Sequence, residues 1–212
     1  MTQAGDPSFA IEIESAVGRY GARDVVGPVT ARLEGPGLYW IVGPNGSGKS
    51  TLLRMLAGLK RAGAGRVRWT RGADDLPASA LRGCSGIAAP EIQLYRDLSV
   101  RENLAFLARL RGRGDAERTL SSCGLGALAD ARPMSLSSGQ RQRARLAAAW
   151  LGDPEIVLLD EPSTNLDAEG RAWLWREVRA RAASTLLVAT TNQREELAEG
   201  EPRLDLGARA AA

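Results

Sequence analysis

The sequence predicts an α/β fold with a mainly parallel sheet, an antiparallel N-terminal portion and a helical insert. Continuous apolar runs at residues 38–42, 156–159 and 186–189 are typical of strands in a sheet that is covered on both faces. Residues 9–14 alternate between apolar and other side chains, which is the period of a half-buried strand. Apolar residues at helical spacing recur between residues 99 and 151. Strands that alternate with helices around a helical stretch indicate one α/β unit with an insert.

The length of the chain suits one domain better than two, since it has 212 residues. We expect a single domain over residues 1–212, with a core at about 1–92 and 152–212 and a helical subdomain at about 93–151. Apolar residues make up 44% and charged residues 25%, which excludes a disordered or fibrous chain. The sequence lacks an apolar run of the roughly 18 residues that a membrane span requires, and residues 1–8 lack a signal-peptide pattern. We therefore expect a cytoplasmic protein that reaches the inner face of the cell membrane through a partner.

The composition also excludes several kinds of site. The chain contains no histidine, which removes every histidine-dependent catalytic triad and most zinc sites. Cys84 and Cys123 lie far apart in the sequence, so we expect two buried, inert thiols instead of a disulfide or a metal cluster. Lys and Arg total 28 against 25 Asp and Glu, and the two signs are interspersed. We therefore expect no nucleic-acid partner.

The first half of the chain is predicted to contain strands around one helix. After the strand at 9–14, a second short strand is expected at 29–33, and the strand at 38–42 runs directly into glycine. A helix at 51–59 follows, and glycines then turn the chain into a strand at 66–70. Small and polar residues up to about residue 86 support no further assignment.

The second half of the chain is predicted to contain helices and two more strands. Ser99 and Glu102 form a capping-box pattern, and glycine follows the next helices at their ends. A helix between the two apolar runs restores the alternation of strand and helix. The expected elements are helices at 99–112, 115–123, 139–151 and 168–183, strands at 156–159 and 186–189, and a frayed end at 210–212.

The pattern G-x-x-x-x-G-K-S at residues 43–50 lies between a predicted strand and a predicted helix, where a phosphate-binding loop requires it. Its glycines let backbone N–H groups point inward, and the helix N-terminus adds partial positive charge. Lys49 supplies a full charge at the outer phosphates of a nucleotide, and Ser50 offers a hydroxyl to Mg²⁺. A chance glycine-rich turn is the alternative. The expected nucleotide-binding residues are Gly43, Pro44, Asn45, Gly46, Ser47, Gly48, Lys49, Ser50 and Thr51.

Two adjacent carboxylates, Asp160 and Glu161, follow the apolar run at 156–159. At the carboxyl edge of a parallel sheet they would face the phosphate loop. Asp160 would hold Mg²⁺ through water, and Glu161 would polarise an attacking water molecule. Such a pair taken alone is more often a solvated turn, but the presence of Lys49 favours the catalytic interpretation.

A segment rich in serine and glycine precedes the helix expected at 139–151. Ser137 or Ser138 can cap this helix and leave N–H groups for an anion. The phosphate loop comes first, then Leu-Ser-Ser-Gly-Gln at 136–140, then Asp-Glu-Pro-Ser-Thr-Asn-Leu-Asp at 160–167. With these motifs in this order, nearly the whole chain resembles the ATPase subunits of ABC transporters. Ser138 stands where the family signature usually has glycine.

The resemblance implies an enzyme that hydrolyses ATP with Mg²⁺ and pairs head to tail with a second ABC ATPase subunit, identical or different. Each of two ATP molecules would lie between the phosphate loop of one subunit and the signature of the other. It also implies a transmembrane permease subunit that docks near residues 90–97. A weaker resemblance, based on the short chain, points to the haem-exporter ATPase subunit. The signature residues expected at the partner's nucleotide are Ser137, Ser138, Gly139 and Gln140.

Two further residues match positions of the family. Tyr20 fits the aromatic residue that stacks on adenine, and an ordinary core or surface tyrosine is the alternative. Asp167 fits the aspartate of the family's D-loop. The resemblance therefore adds one residue at the adenine base of the nucleotide, Tyr20, and one near the subunit interface, Asp167.

Two other positions depart from the family pattern. Pro90 stands where the family usually has glutamine, and Gln93 follows three residues later. Asn192 replaces the family's switch histidine; it can donate a hydrogen bond to a γ-phosphate but cannot carry a proton. We therefore expect slow hydrolysis that depends on Glu161, with Lys49 and Asn192 as its other catalytic residues.

Other functions stay open at this point. A soluble ABC ATPase of DNA repair or translation would normally carry long coiled-coil inserts, a zinc hook or a duplicated cassette, and this sequence has none of them. A nucleotide-sensing module with little turnover fits the changes at Pro90 and Asn192, but the intact Asp160 and Glu161 argue against it. A kinase would leave the signature unexplained. The transported substrate and the direction of transport are set by the partner.

Overall fold

The computed structural model describes residues 8–207, and the expectations for residues 1–7 and 210–212 lie outside this range. Within the described range the strands pair into one antiparallel and one parallel sheet, which agrees with the predicted fold class. In chain order the strands are β1 (Phe9–Tyr20), β2 (Arg23–Glu34), β3 (Gly37–Val42), β4 (Ala64–Arg71), β5 (Asp74–Leu76), β6 (Ser85–Ala88), β7 (Ile156–Leu159), β8 (Leu186–Thr191) and β9 (Arg203–Asp205).

The antiparallel sheet has the order β2-β1-β4-β5. The alternation that predicts β1 places Ile11 and Ile13 in the core, while Glu12 and Glu14 lie on the opposite face. The strand is longer than predicted because register shifts after Ile13 bend it and let it continue to pair with β2. The three-residue strand β5 has no apolar pattern of its own and forms by pairing with β4.

The parallel sheet has the order β6-β7-β8-β3-β9. Its three central strands, β7, β8 and β3, are the apolar runs of the sequence and are buried on both faces. Because the strands are parallel, their carboxyl ends meet along one edge of the sheet. The edge strands β6 and β9 are short and were not predicted, since each is held mainly by its pairing with a central strand.

All of the α-helices of the described range except the short helix at Leu81–Cys84, where no element is predicted, lie close to their predicted positions. Helix 51–59 was placed too late, since it begins at Lys49 and ends at Leu56, and helix 168–183 ends two residues early. The region between β6 and β7 contains helices and 3₁₀ turns, and its division from the core as a separate subdomain stays a prediction. The α-helices are α1 (Lys49–Leu56), α2 (Leu81–Cys84), α3 (Val100–Arg111), α4 (Ala116–Ser122), α5 (Ser138–Trp150) and α6 (Ala168–Arg181).

The parallel sheet separates two apolar clusters. On one face, Ile41 and Val188 pack with Leu52 of α1 and with Ile11 of the antiparallel sheet. On the other face, side chains of the same strands pack against α5 and α6, among them Trp40, Leu159, Leu146, Leu174 and Trp175. The sheet is therefore covered on both faces, and this packing fixes the positions of the loops that follow its strands. Among the described residues no helix is long and apolar enough to span a membrane.

Candidate active site

The phosphate loop joins the end of β3 to the start of α1. Gly48 is the N-cap of α1, with a left-handed φ of 96°, and no side chain caps the helix. A Cβ on Gly48 would lie 2.6 Å from the carbonyl oxygen of Val25, so this position requires glycine. The uncapped N–H groups of α1 are therefore free to bind an anion at the carboxyl edge of the sheet.

Lys49 lies at the centre of the loop and is only 4% exposed. Its Nζ donates hydrogen bonds to the carbonyl oxygens of Gly43 (3.0 Å) and Pro44 (3.2 Å). The same Nζ lies 3.5 Å from Oε1 of Glu161. The loop thus wraps around the ammonium group of Lys49. The structure also brings Lys49 and Glu161, two of the predicted catalytic residues, together.

Asp160 and Glu161 directly follow β7 beside the phosphate loop. The register pairs Leu159 with Ala189, which places Asp160 next to Thr190 at the end of β8. The hydroxyl of Thr190 donates to Oδ1 of Asp160 (2.8 Å) and accepts from the backbone N–H of Glu161 (2.8 Å). Glu161 has a left-handed φ of 44°, which this anchor holds in place.

Thr190 is a functional residue that the sequence reasoning missed. It is fully buried, and its single hydroxyl binds both the carboxylate of Asp160 and the backbone N–H of Glu161. The available signal was the pair Thr190 and Thr191 at the end of an otherwise apolar strand, which is a polar interruption at the ligand-binding edge of a parallel sheet.

Asn192 follows β8 and contacts the phosphate loop. The register pairs Val42 with Thr191, so Asn192 emerges beside Gly43. Its Nδ2 donates a 3.0 Å hydrogen bond to Oδ1 of Asn45. The structure therefore places Asn192 against the phosphate loop, and its role at a γ-phosphate stays a prediction.

The signature segment forms the N-terminus of α5. Ser137 is the N-cap: its Oγ accepts from the backbone N–H of Gln140 (3.2 Å), and Oε1 of Gln140 accepts from the N–H of Ser137 (2.9 Å). Of the two candidate caps, Ser137 fills the role and Ser138 is the first helical residue. Gly139 lies against Asn165, since a Cβ there would be 3.1 Å from its carbonyl oxygen. The segment thus lies beside the start of the D-loop region.

The described portion of the chain matches the family model described as ABC transporter over residues 27–164. This match covers the phosphate loop, the signature and the two carboxylates, which are the elements of the site just described. The chain belongs to the ABC transporter family.

Curated ABC transporter proteins align with most of this chain. It is 39% identical over 179 residues to the uncharacterized ABC transporter ATP-binding protein y4oS of Sinorhizobium fredii, covering 80% of this chain and 47% of the relative. It is 33% identical over 192 residues to the Nod factor export ATP-binding protein I of Paraburkholderia xenovorans (87% and 63%). It is 36% identical over 200 residues to the sulfate/thiosulfate import ATP-binding protein CysA of Synechococcus elongatus (90% and 58%). The chain thus spans about half to three fifths of these relatives.

Solved structures of the family share the fold. The dimeric structure of MJ0796, a bacterial ABC transporter cassette, superposes with a TM-score of 0.79 at 23% identity, covering 93% of this chain and 95% of that one. A bacterial Atm1-family ABC exporter with ATP bound gives a TM-score of 0.78 at 22% identity, covering 96% and 37%. The fold class predicted from the sequence is therefore confirmed as that of an ABC cassette.

The phosphate loop of this ABC protein fits a nucleotide with Mg²⁺. Within residues 8–207, the buried hydroxyl of Ser47 has no hydrogen-bond partner, which leaves it available to a ligand. The same residues contain no group of three or more His, Cys, Asp or Glu that would hold a metal by protein ligands alone. Mg²⁺ takes most of its ligands from water and phosphate, so one or two protein side chains are sufficient to hold it. Ser50 at the start of α1 and Asp160 are the side chains available to it.

Tyr20 lies at the end of β1 and is 49% exposed. The Nζ of Lys60 lies 3.8 Å from the centre of its ring, and Nη1 of Arg54 donates to its hydroxyl at 3.4 Å. The ring is thus accessible, as stacking requires, and one face is covered by a cation. Its role at adenine stays a prediction.

Asp167 caps α6 in this ABC protein. Its Oδ1 accepts from the backbone N–H of Gly170 at 2.7 Å. The residue therefore has a structural role of its own, and the D-loop role implied by the family stays a prediction.

The segment that carries Pro90 and Gln93 is held from two sides. Gln93 donates from Nε2 to the carbonyl oxygen of Pro90, and its Oε1 accepts from Nη2 of Arg145 on α5 at 3.4 Å. Oε1 of Glu91 accepts from Nε of Arg54 on α1 at 2.6 Å, and this bond holds the pKa of Glu91 below its usual range. The segment therefore connects the phosphate-loop helix with the signature helix.

The two cysteines lie away from this chemistry. Cys84 and Cys123 are buried and free, and burial raises the pKa of both thiols. Raised pKa values make the thiols less reactive. The expectation that both thiols are buried is confirmed, and their inertness stays a prediction.

Proposed function

We propose that this chain is the ATP-binding and ATP-hydrolysing subunit of an ABC transporter, and that two such subunits pair around ATP to drive a separate membrane partner. The observation that carries the proposal is the convergence of Lys49, Asp160 and Glu161 at one edge of the parallel sheet. Relatives of this chain are named as ATP-binding proteins of both import and export systems, so the direction of transport depends on the partner.

The phosphates of ATP bind the backbone N–H groups of the loop and the ammonium of Lys49. Ser50 and Asp160 would hold Mg²⁺, which would supply positive charge at the phosphate oxygens. Glu161 orients the attacking water and accepts its proton. Because Glu161 lies 3.5 Å from Lys49, the incoming phosphate takes over the cation and frees the carboxylate to bind water.

Asn192 limits the rate of ATP hydrolysis. Its amide donates to Asn45 in the structure and can turn to donate to the γ-phosphate instead. A neutral amide provides one hydrogen bond but no positive charge, so it stabilises the developing charge less than a protonated histidine would. We expect slow hydrolysis that still depends on Glu161.

The membrane partner docks on an apolar groove between the core and α3. The groove has a volume of about 690 Å³, and its rim exposes Leu59 (62%) and Leu110 (71%). Ile92, from the segment that was expected to meet the permease, also lines it. Exposed leucines around a groove are typical of a protein interface, and we assign it to a short apolar segment of the permease.

The test combines Mg²⁺-dependent ATP hydrolysis with ATP-induced dimerisation, measured by sedimentation, for the wild type and Glu161→Gln. We expect slow turnover in the wild type and at least about a hundredfold lower kcat in the variant. We also expect Glu161→Gln to accumulate as an ATP-bound dimer. Glu199→Gln is the matched control, because Glu199 is exposed and lies outside the site.

The outcomes separate the alternatives. Turnover that survives Glu161→Gln but is lost in Asn192→Ala would contradict the assigned roles. Chains that bind ATP but neither dimerise nor hydrolyse it would point to a nucleotide sensor, or to a subunit that works only with a different partner.

A further inference from the structure

A chain of hydrogen bonds joins the segment after β6 to the turn after Glu161. Nη2 of Arg145 contacts Oε1 of Gln93 at 3.4 Å, and Nη1 donates to Oε1 of Gln142 at 2.5 Å. Nε2 of Gln142 donates to the carbonyl oxygen of Pro162 at 2.8 Å. Three stretches that are distant in sequence are therefore connected through side chains of α5.

Arg145 is the branching point of this chain. It is half-buried, and burial lowers the pKa of its guanidinium, which nevertheless stays charged. Its two contacts point to different segments and use two nitrogens of the planar fork. A lysine ammonium keeps the charge but does not reproduce the fixed geometry of a fork. The arrangement therefore depends on arginine at this position.

Gln142 carries the connection to the reacting turn. Its side chain is 4% exposed, so its amide has no access to bulk water as an alternative partner. The carbonyl that it binds belongs to Pro162, the residue after Glu161. Thr190 holds the same turn from the other side through the N–H of Glu161. The left-handed backbone of Glu161 is thus fixed by one contact from β8 and one from α5.

We propose that Arg145 is a positioning residue for Glu161, acting through Gln142, and that Gln93 links this position to the segment at residues 90–93. The inference rests on the proposed role of Glu161 in hydrolysis. Any partner that moves Gln93 would change how Arg145 holds Gln142, and with it the turn that carries the carboxylate. A hydrogen bond of 2.6 Å from Arg54 to Glu91 also joins this segment to α1.

The kinetic test compares Arg145→Met with Arg143→Met. Arg143 lies two residues away on the same helix, is also half-buried and stacks on Trp173 instead of joining the chain of hydrogen bonds. We expect Arg145→Met to lower kcat about tenfold, the effect of losing a hydrogen bond to a charged group, with KM for ATP within about twofold. Arg143→Met should change kcat less than about twofold, and Arg145→Lys should recover only part of the loss.

A double-mutant cycle identifies the path. If Gln93 acts through Arg145, Gln93→Ala lowers kcat in the wild-type background and has little further effect in Arg145→Met. Equal losses of kcat in Arg145→Met and Arg143→Met, or an unchanged kcat in a folded Arg145→Met, would overturn the proposal. Independent, additive effects of Gln93 and Arg145 would overturn the link to residues 90–93.

Hydrogen exchange of the nucleotide-free protein gives a readout that does not need activity. We expect Arg145→Met to speed amide exchange both at residues 163–166 and at residues 91–95, while Arg143→Met leaves these segments unchanged. An inactive wild type would contradict the proposed function, and this comparison would still decide whether Arg145 holds the turn. Unchanged exchange at residues 163–166 in Arg145→Met would contradict the positioning role.

Discussion

The phosphate loop and the signature segment both open a helix, but their surroundings complete them in different ways. The phosphate loop has an uncapped helix and meets Glu161 after β7 and Asn192 after β8. The signature closes on itself, since Ser137 and Gln140 cap α5 reciprocally. The sheet thus gathers catalytic groups around the first loop, whereas the second is a finished helix cap. The family resemblance implies that the signature serves the nucleotide of another subunit, and a segment that is capped within its own chain is compatible with that role.

The phosphate loop and the signature also differ in what fixes the positions of their side chains. At the phosphate loop, the strand register sets which side chains meet, because Leu159 pairs with Ala189 and Val42 pairs with Thr191. At the signature, the side chains of Ser137 and Gln140, which belong to the segment itself, form the cap. A change at the first site should therefore disturb chemistry within one chain, while a change at the second should disturb only the action of the pair.

The largest effect is expected at the phosphate loop, in Lys49→Ala. The change removes the cation that is bonded to Gly43 and Pro44 and that is proposed to bind the outer phosphates. We expect hydrolysis to fall by about a thousandfold and ATP binding to weaken in the single chain. The measurement is ATP affinity by calorimetry together with steady-state turnover. Wild-type affinity and turnover in a folded Lys49→Ala variant would show that the phosphate loop is not part of the active site.

A smaller but still large effect is expected at the signature, in Gly139→Asp. The new carboxylate would face the partner's nucleotide, so hydrolysis should fall by about a hundredfold through repulsion of the phosphate. ATP affinity of the single chain should not change. Gly139→Ala is the control, since it adds the same Cβ, 3.1 Å from the carbonyl oxygen of Asn165, without the charge. If Gly139→Asp weakens ATP binding of the monomer as much as Lys49→Ala does, the signature acts on the nucleotide of its own chain, as the phosphate loop does, and not on that of the partner.

The smallest effect is expected at Asn192, where only one neutral hydrogen bond is at stake. Asn192→Ala should lower kcat about fivefold, because a neutral hydrogen bond contributes about 1 kcal/mol. Asn192→His should raise kcat above the wild type, since a protonated imidazole adds positive charge. Steady-state kinetics at a fixed pH is the measurement. A complete loss of turnover in Asn192→Ala would mean that Asn192, and not Glu161, carries the main catalytic role.

The elements that are determined by a short stretch of neighbouring residues are the easiest to predict from the sequence. The apolar strands β3 and β7 and the phosphate loop between β3 and α1 follow from local patterns, and the structure places them where expected. Strands β6 and β9 could not be predicted, because their short mixed sequences become strands only through pairing with β7 and β3. Tertiary context, not propensity, decides such edge strands.

Within the site, the limit of prediction follows the range of the contacts. Lys49, Asp160 and Glu161 belong to contiguous motifs and were identified from them. Thr190 binds Asp160, which is 30 residues away in the sequence, and Arg145 contacts Gln93, which is 52 residues away, with no motif to mark either contact. Only the sheet register brings Thr190 to Asp160, and only the packing of α5 brings Arg145 to Gln93.

The most direct test of the account mixes two inactive variants, Lys49→Ala and Gly139→Asp. Each mixed pair contains one site with an intact phosphate loop from one chain and an intact signature from the other. We predict that mixing restores ATP hydrolysis to about a quarter of the wild-type rate, because random pairing makes half of the dimers mixed and each mixed dimer has one intact site. A mixture that stays as inactive as its components, with both chains folded and able to pair, would contradict the claim that a second copy completes the site.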